Sequence, residues 1–164
     1  MDLKDIEESI YYRAQHYIRL RERTEKEISD YIKRKLEKYN FTPTTIDEIL
    51  HKIIQKLIDD ELIDDNRFVN WWVQQRNYFK PRGIFLLKQE LQNKGVQKDT
   101  INHYFEDNPI KELDLAKEAL HKKSKTLFGF SGKEQEKKAL DYLLRRGFSY
   151  TIAKKAFEDW SEKL

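Results

Sequence analysis

The stretch LIDDNRFVNWWVQQR, residues 62–76, gathers the densest set of groups able to do chemistry. Two adjacent carboxylates, Asp64 and Asp65, precede Arg67, the rings of Phe68, Trp71 and Trp72, and Arg76. Paired acids can hold a metal ion, or they can accept the unpaired backbone N–H groups at a helix start and oppose the positive end of its dipole. No third ligand lies at helical spacing nearby, so capping is the favoured reading. On a helical wheel stepped at about 100° per residue, Phe68, Trp71, Trp72, Gln75 and Phe79 share one side, while Asn70, Gln74 and Asn77 face away. That is the amphipathic pattern of a core-facing helix, with a ligand-stacking platform as the alternative. Arg67 and Arg76 project from opposite flanks of the aromatic side.

Nothing else in the chain has catalytic spacing. His16, His51, His103 and His121 are far apart, without HxxxH or HxxE spacing. The segment FGFSGKEQ (128–135) lacks the Lys-Ser/Thr pair of a phosphate-binding loop, and no nucleophile elbow is present. Glu7–Glu8 and Asp59–Asp60 fall in charged helical surfaces and read as solvated faces. The expectation is a protein that is not an enzyme, with no cofactor and no catalytic or metal site.

The elements that must position these groups are helices. Strand alternation is absent, and glycine and proline, five and three in number, fall mostly where helices stop or start. Gly95 and Gly147 each follow a run ending in a cation, the expected helix stop. Asn108–Pro109 reads as an N-cap with proline at the first helical position. Thr24 with Glu27, and Thr45 with Glu48, fit the capping box. The pattern predicts nine helices, over about residues 5–21, 25–39, 45–59, 65–79, 83–94, 98–106, 109–125, 133–146 and 150–162.

Sliding the chain on itself brings three segments into register. Ile32, Leu36, Asn40, Phe41, Ile46 and Leu50 recur 55 residues later as Leu87, Leu91, Gly95, Val96, Ile101 and Phe105. A further 52 residues on they recur as Ala139, Leu143, Gly147, Phe148, Ala153 and Phe157. Each set places a residue suited to a left-handed turn, Asn or Gly, at its third position. The expected fold is all-α, with three tandem three-helix units (1–60, 61–107 and 108–164) stacked into an elongated, curved array.

Composition agrees with a large surface. Charged residues make up 37% of the 164 and hydrophobic ones 38%, against nearer a quarter charged in average proteins. Aromatics at 13% argue against disorder. No cysteine is present, which excludes disulfides and thiolate zinc sites. No run approaches the roughly 18 apolar residues of a membrane span, and no signal peptide opens the chain, so the expected location is the cytoplasm. The net charge of +3 is unevenly spread: from Lys111 onward there are 13 Lys and Arg against 9 Asp and Glu, and before it 19 against 20. Cations cluster at Lys33, Arg34, Lys35 and Lys38, at Lys80 and Arg82, at Lys122, Lys123 and Lys125, and at Arg145 and Arg146. Cations at helix C-termini complement the dipole. If each unit presents them at an equivalent place, they form a stripe suited to a phosphate backbone or an acidic groove.

Several of these stretches, in this order, resemble the RecX family of recombinase regulators. They are RLRERTEKEISDYI (19–32), LIDDNRFVNWWVQQR (62–76), GIFLLKQELQNKGVQKDTI (83–101) and LLRRGFSYTIAKKAF (143–157). The resemblance covers about residues 9–160. Asp64, Asp65, Arg67 and Phe68 match the first family motif; Gly83, Glu90, Leu91, Lys94 and Gly95 the second; and Arg145, Arg146, Gly147, Phe148 and Ser149 the third. Trp71–Trp72 departs from the family's smaller pair. Some members extend further at both ends, so the resemblance implies a short member or a truncated chain. It further implies a monomer that lodges in the groove of the RecA filament, meets single-stranded DNA through it, and restrains filament growth, ATP hydrolysis and strand exchange. On that reading the partner contacts are Arg67, Arg76, Arg82, Lys88, Lys94, Arg145 and Arg146. The alternative is a stand-alone helical nucleic-acid-binding protein without effect on RecA.

Overall fold

A computed structural model describes residues 2–162. Among them are nine helices and no strand: α1 (Leu3–Arg19), α2 (Glu25–Leu36), α3 (Pro43–Asp59), α4 (Asp65–Phe79), α5 (Ile84–Asn93), α6 (Lys98–Asp107), α7 (Glu112–Leu127), α8 (Gly132–Arg145) and α9 (Tyr150–Ser161). None of these helices is long and apolar enough to cross a membrane. The chain divides into two compact units, one of Met1–Trp71 with Gln92–Ile101, the other of Trp72–Leu91 with Asn102–Leu164.

In the first unit α1, α2 and α3 bury apolar residues at helical spacing: Ile6, Ile10 and Ala14; Ile28, Ile32 and Leu36; Ile49, Ile53 and Leu57. In the second, α7, α8 and α9 bury Ala116, Ala119 and Leu120, then Ala139 and Leu143, then Ala153, Ala156 and Trp160. Small alanines at these positions let helix axes approach closely, and Phe148 fills the space at the α8–α9 turn.

The helix ends show which local signals governed. Thr24 and Glu27 form the expected capping box of α2. Gly95 and Gly147 adopt left-handed backbone, with φ of 87° and 83°. Other expectations are corrected. α3 starts at Pro43, capped by Thr42 rather than Thr45, because proline at the first turn fixes the entry. α7 starts at Glu112, not Pro109; the Asn108 side chain instead donates to the Tyr104 carbonyl at the end of α6.

Asn40 does not share the left-handed turn of Gly95 and Gly147. Phe41 N–H bonds the Tyr39 carbonyl at 2.8 Å, closing a three-residue turn around Asn40 without positive φ. Phe79, expected in the core, is 65% exposed. The buried side of α4 holds Phe68, Val69 and Val73, so the buried face is rotated from the ring side toward the valines.

Glu61, with φ 56°, is the left-handed non-glycine residue among those described. It ends α3 in a Schellman turn: Glu61 N–H bonds the Ile58 carbonyl and Leu62 N–H the Leu57 carbonyl, each at 2.9 Å. A side chain in this conformation costs about 1–2 kcal/mol, more than glycine's extra unfolded-state entropy of roughly 0.5–1 kcal/mol. Glu61→Gly is therefore expected to stabilise the protein by about 0.5–1 kcal/mol, read as a higher urea midpoint at unchanged slope. A lower midpoint would show that the Glu61 side chain contributes contacts exceeding its backbone strain.

Candidate functional site

Helix α4 begins as its sequence implies. Asp64 Oδ1 accepts the N–H groups of Asn66 (2.8 Å) and Arg67 (3.2 Å), the geometry of an N-cap. Asp65 does something local pattern could not show: its Oδ1 accepts the Glu25 N–H at 3.0 Å, capping the first turn of α2. Burial, with the nearby carboxylates of Glu25, Asp64 and Glu27, raises the Asp65 pKa above its ordinary value, against the lowering effect of that hydrogen bond. The two acids thus start two different helices.

Each candidate cation has a definite setting. In the first unit, Arg67 pairs with Glu22 at 3.1 Å and donates to the carbonyls of Glu61 and Leu62, tying the α3–α4 connection. Lys94 pairs with Glu27 at 2.8 Å, and its carbonyl accepts the Thr24 hydroxyl at 2.8 Å. Arg21 meets the same Glu27 carboxylate, also at 2.8 Å. Burial pushes the Glu27 pKa up, but the hydrogen bonds and charges of Arg21 and Lys94 outweigh it and hold the group at about 2.

In the second unit, Arg76 and Arg82 converge on Glu90. Glu90 accepts from Trp72 Nε1 at 3.0 Å and from Arg76 Nε at 3.1 Å, and it pairs with Arg82. Arg76 also stacks 4.1 Å from the centroid of the Trp72 ring. Burial, and after it the positive charges of Arg76 and Arg146, lower the Arg82 pKa, and its Nε is buried without a hydrogen-bond partner among the described residues. Lys88 is directed elsewhere, to Asn102 Oδ1 at 2.9 Å and over the Phe105 ring. Arg146 lies over the Tyr142 ring at 5.2 Å. Arg145 is exposed and forms no ion pair within the described residues.

Arg76 and Arg82 therefore meet on one carboxylate with Arg146 near Arg82, Arg67 and Lys94 close separate networks, and Arg145 is exposed. Glu90 matched a family motif, but its part as a hub could not be seen without the fold. Trp72 and Arg76 on α4 and Arg82 ahead of α5 all meet it, and no local spacing encodes that convergence.

Two expectations follow. Glu90→Gln keeps an acceptor but leaves the guanidinium groups of Arg76 and Arg82 against a neutral side chain, and should cost about 2 kcal/mol in urea unfolding; a cost below about 0.5 kcal/mol would mean water already screens the cluster. For Glu27, the folded pKa of about 2 lies below the ordinary 4.5. Its contribution is complete above pH 4.5 and is lost as pH falls toward 2, roughly 2–3 kcal/mol in all. Glu27→Gln should flatten the acid limb of the stability curve across that window, measured by urea unfolding at successive pH values.

Comparison with known proteins bears on what this arrangement belongs to. A family model described as the third three-helix domain of RecX matches residues 111–157, and one for the second three-helix domain matches residues 64–103. The chain is 27% identical over 154 residues to the regulatory protein RecX of Bacillus cytotoxicus, covering 93% of this chain and 54% of that one. It is 32% identical over 151 residues to that of Streptococcus pneumoniae strain 70585, covering 89% and 53%. The chain spans about half the length of the curated relatives it matches. The crystal structure of RecX from Lactobacillus salivarius superposes with a TM-score of 0.73 at 25% identity, covering 97% of this chain and 99% of that one. A second crystal structure, of a regulatory protein RecX, shares the fold at a TM-score of 0.71 and 23% identity, over 94% of this chain and 73% of the other. With two consecutive RecX domain models and a RecX fold along the same helices, the chain belongs to the RecX family of regulatory proteins.

Proposed function

We propose that the chain regulates the RecA recombinase, seating in the groove of the filament that RecA forms on single-stranded DNA and restraining its growth, ATP hydrolysis and strand exchange. It acts by binding, as a cytoplasmic monomer, with no chemistry of its own. The observation that carries this reading is the disposition of Arg145 and Arg146 in the third family motif. Arg145 is exposed and forms no ion pair among the described residues, and Arg146 sits over Tyr142 beside it. An exposed guanidinium is weakly hydrated and offers a planar fork for carboxylate or phosphate. Arg67, Arg76, Arg82, Lys88 and Lys94 remain contact candidates in this proposal, and each would have to exchange or share an internal partner on binding.

A second reading, stand-alone binding to nucleic acid, is favoured by the basic surplus after Lys111. The two separate cleanly in RecA's single-stranded-DNA-dependent ATPase with this protein titrated in. The recombinase reading expects ATP hydrolysis to fall; an unchanged rate beside salt-dependent DNA binding would replace it with the second. Reversing Arg145 and Arg146 to Glu should weaken the inhibition about tenfold while shifting Tm by only a few degrees. Inhibition that survives the double reversal would exclude these arginines from the contact.

A further inference from the structure

Helix α7, the connection that follows it and helix α8 line a common cleft of about 370 Å³. Lys123 comes from α7 and Phe130 from the α7–α8 connection, while Lys138, Asp141, Tyr142 and Arg145 stand at i, i+3, i+4 and i+7 on α8. Residues so spaced share one helix side. The cleft therefore joins two half-buried rings to three cations and one carboxylate, a net charge of +2 among those six side chains.

Its cations are weakly committed. Lys138 reaches Glu134 only at 3.9 Å, and Lys123 and Arg145 form no ion pair within the described residues. Lys138 Nζ instead lies 4.2 Å from the Phe130 ring centroid, and Lys123 Nζ 5.9 Å from that of Tyr142. Exposed cation–π contacts contribute little and are readily exchanged. Lys138 can therefore leave the Phe130 ring, and Lys123 the Tyr142 ring, at small cost, while Arg146 stays 5.2 Å from Tyr142.

We propose that this cleft takes one nucleotide of single-stranded DNA. The base stacks on Phe130 and Tyr142, Lys123 and Lys138 swing from the ring faces to the flanking phosphates, and Arg145 meets a further phosphate at the rim. Asp141 accepts a hydrogen bond from a base N–H. Stacking on aromatic side chains beside a cationic track is how sequence-tolerant single-strand binding is built. An acidic protein surface fits less well, because its carboxylates would use the cations, leave both rings idle and meet Asp141 as a like charge. A free mononucleotide offers the same chemistry, but only the polymer supplies phosphates on both sides of the base. The inference extends the regulatory reading without resting on it, since no recombinase is needed for the contact.

The test is fluorescence anisotropy of a labelled oligothymidylate about twelve nucleotides long, with the full chain, no recombinase, and several salt concentrations. An abasic strand of equal length and free thymidine monophosphate serve as comparisons. The oligothymidylate should bind, with the abasic strand and the mononucleotide each about tenfold weaker or more. Phe130→Leu or Tyr142→Leu should weaken the oligothymidylate about tenfold and leave the abasic strand unaltered. Lys123→Glu, a surface change that should not disturb folding, should weaken both strands and reduce the salt slope by about one. Circular dichroism confirms the fold of each variant. Equal binding of the two strands, no binding, a mononucleotide that binds as tightly as the polymer, or ring variants indistinguishable from wild type would each overturn the proposal. So would variants that lose their effect on RecA ATPase while binding DNA normally, since the cleft would then serve a protein surface. Oligothymidylate binding that persists in a protein without effect on RecA would uphold the cleft and reject the regulatory reading alone.

Discussion

The arrangement of the second unit depends on one close backbone contact. Gly83 N–H donates to the Arg146 carbonyl at 2.9 Å, and a Cβ added at Gly83 would lie 2.1 Å from the Gly147 carbonyl oxygen. Gly147 is constrained twice, by its φ of 83° and by the Leu86 Cβ that its own Cβ would meet at 2.5 Å. Glycine at both places lets the start of α5 lie directly against the α8–α9 turn. The Glu112 carboxylate then accepts the Ile84 N–H at 2.7 Å, capping α5 from the first turn of α7. With that end fixed, Arg82 and Arg146 lie near each other, and α5 carries Glu90 to where Arg82, Arg76 and Trp72 reach it. The charge cluster is a consequence of the glycine contact.

That geometry divides the cations into two kinds. Arg82 is held partly out of water beside two other guanidiniums, a setting tolerable only because Glu90 compensates it, and the lowered pKa records the cost. Lys94 and Arg21 do for Glu27 what Arg82 and Arg76 do for Glu90, in the other unit. These pairs hold helices together, and a partner reaching for them must offset a broken internal contact. Arg145 and Lys123 carry no such debt. A binding partner meets them at the entropic cost of ordering a surface side chain, about 1–2 kcal/mol at most.

Much of the fold was legible because its signals are local. Apolar spacing located the nine helices of the described residues, and α4 lay where the pattern put it, because caps and periodicity act within a few residues. Thr24, Gly95 and Gly147 were readable for the same reason. Asn40 and Phe79 depart from the pattern where tertiary setting decides: a three-residue turn satisfies the backbone at Asn40, and the Phe79 ring at the end of α4 stays 65% exposed. Asp65 capping α2 is a contact across 40 residues of sequence, invisible to any local window. The candidate cations were found by residue type. Their division into committed and uncommitted groups required the positions of Glu22, Glu27 and Glu90. The α7–α8 cleft had a sequence signal, Lys138, Asp141, Tyr142 and Arg145 at i, i+3, i+4 and i+7, hidden because such spacing also describes an ordinary solvated helix.

The residues that mark this chain as RecX are mostly those that build it. Gly83 and Gly147 permit a backbone approach, Asp64 and Ser149 cap helices, Phe68 and Phe148 are buried, and Glu90 neutralises a cluster. A match to such residues identifies a fold with great economy, because each is required for a geometric reason. It says less about recognition, since groups engaged inside the molecule have little left to offer outside it. Differences in what RecX proteins bind, and how tightly, should therefore arise at positions the motifs do not fix, on helix surfaces such as those bearing Lys123, Lys138 and Tyr142. Substitution there leaves the glycine contact and both carboxylate hubs untouched, so recognition can change without endangering the fold.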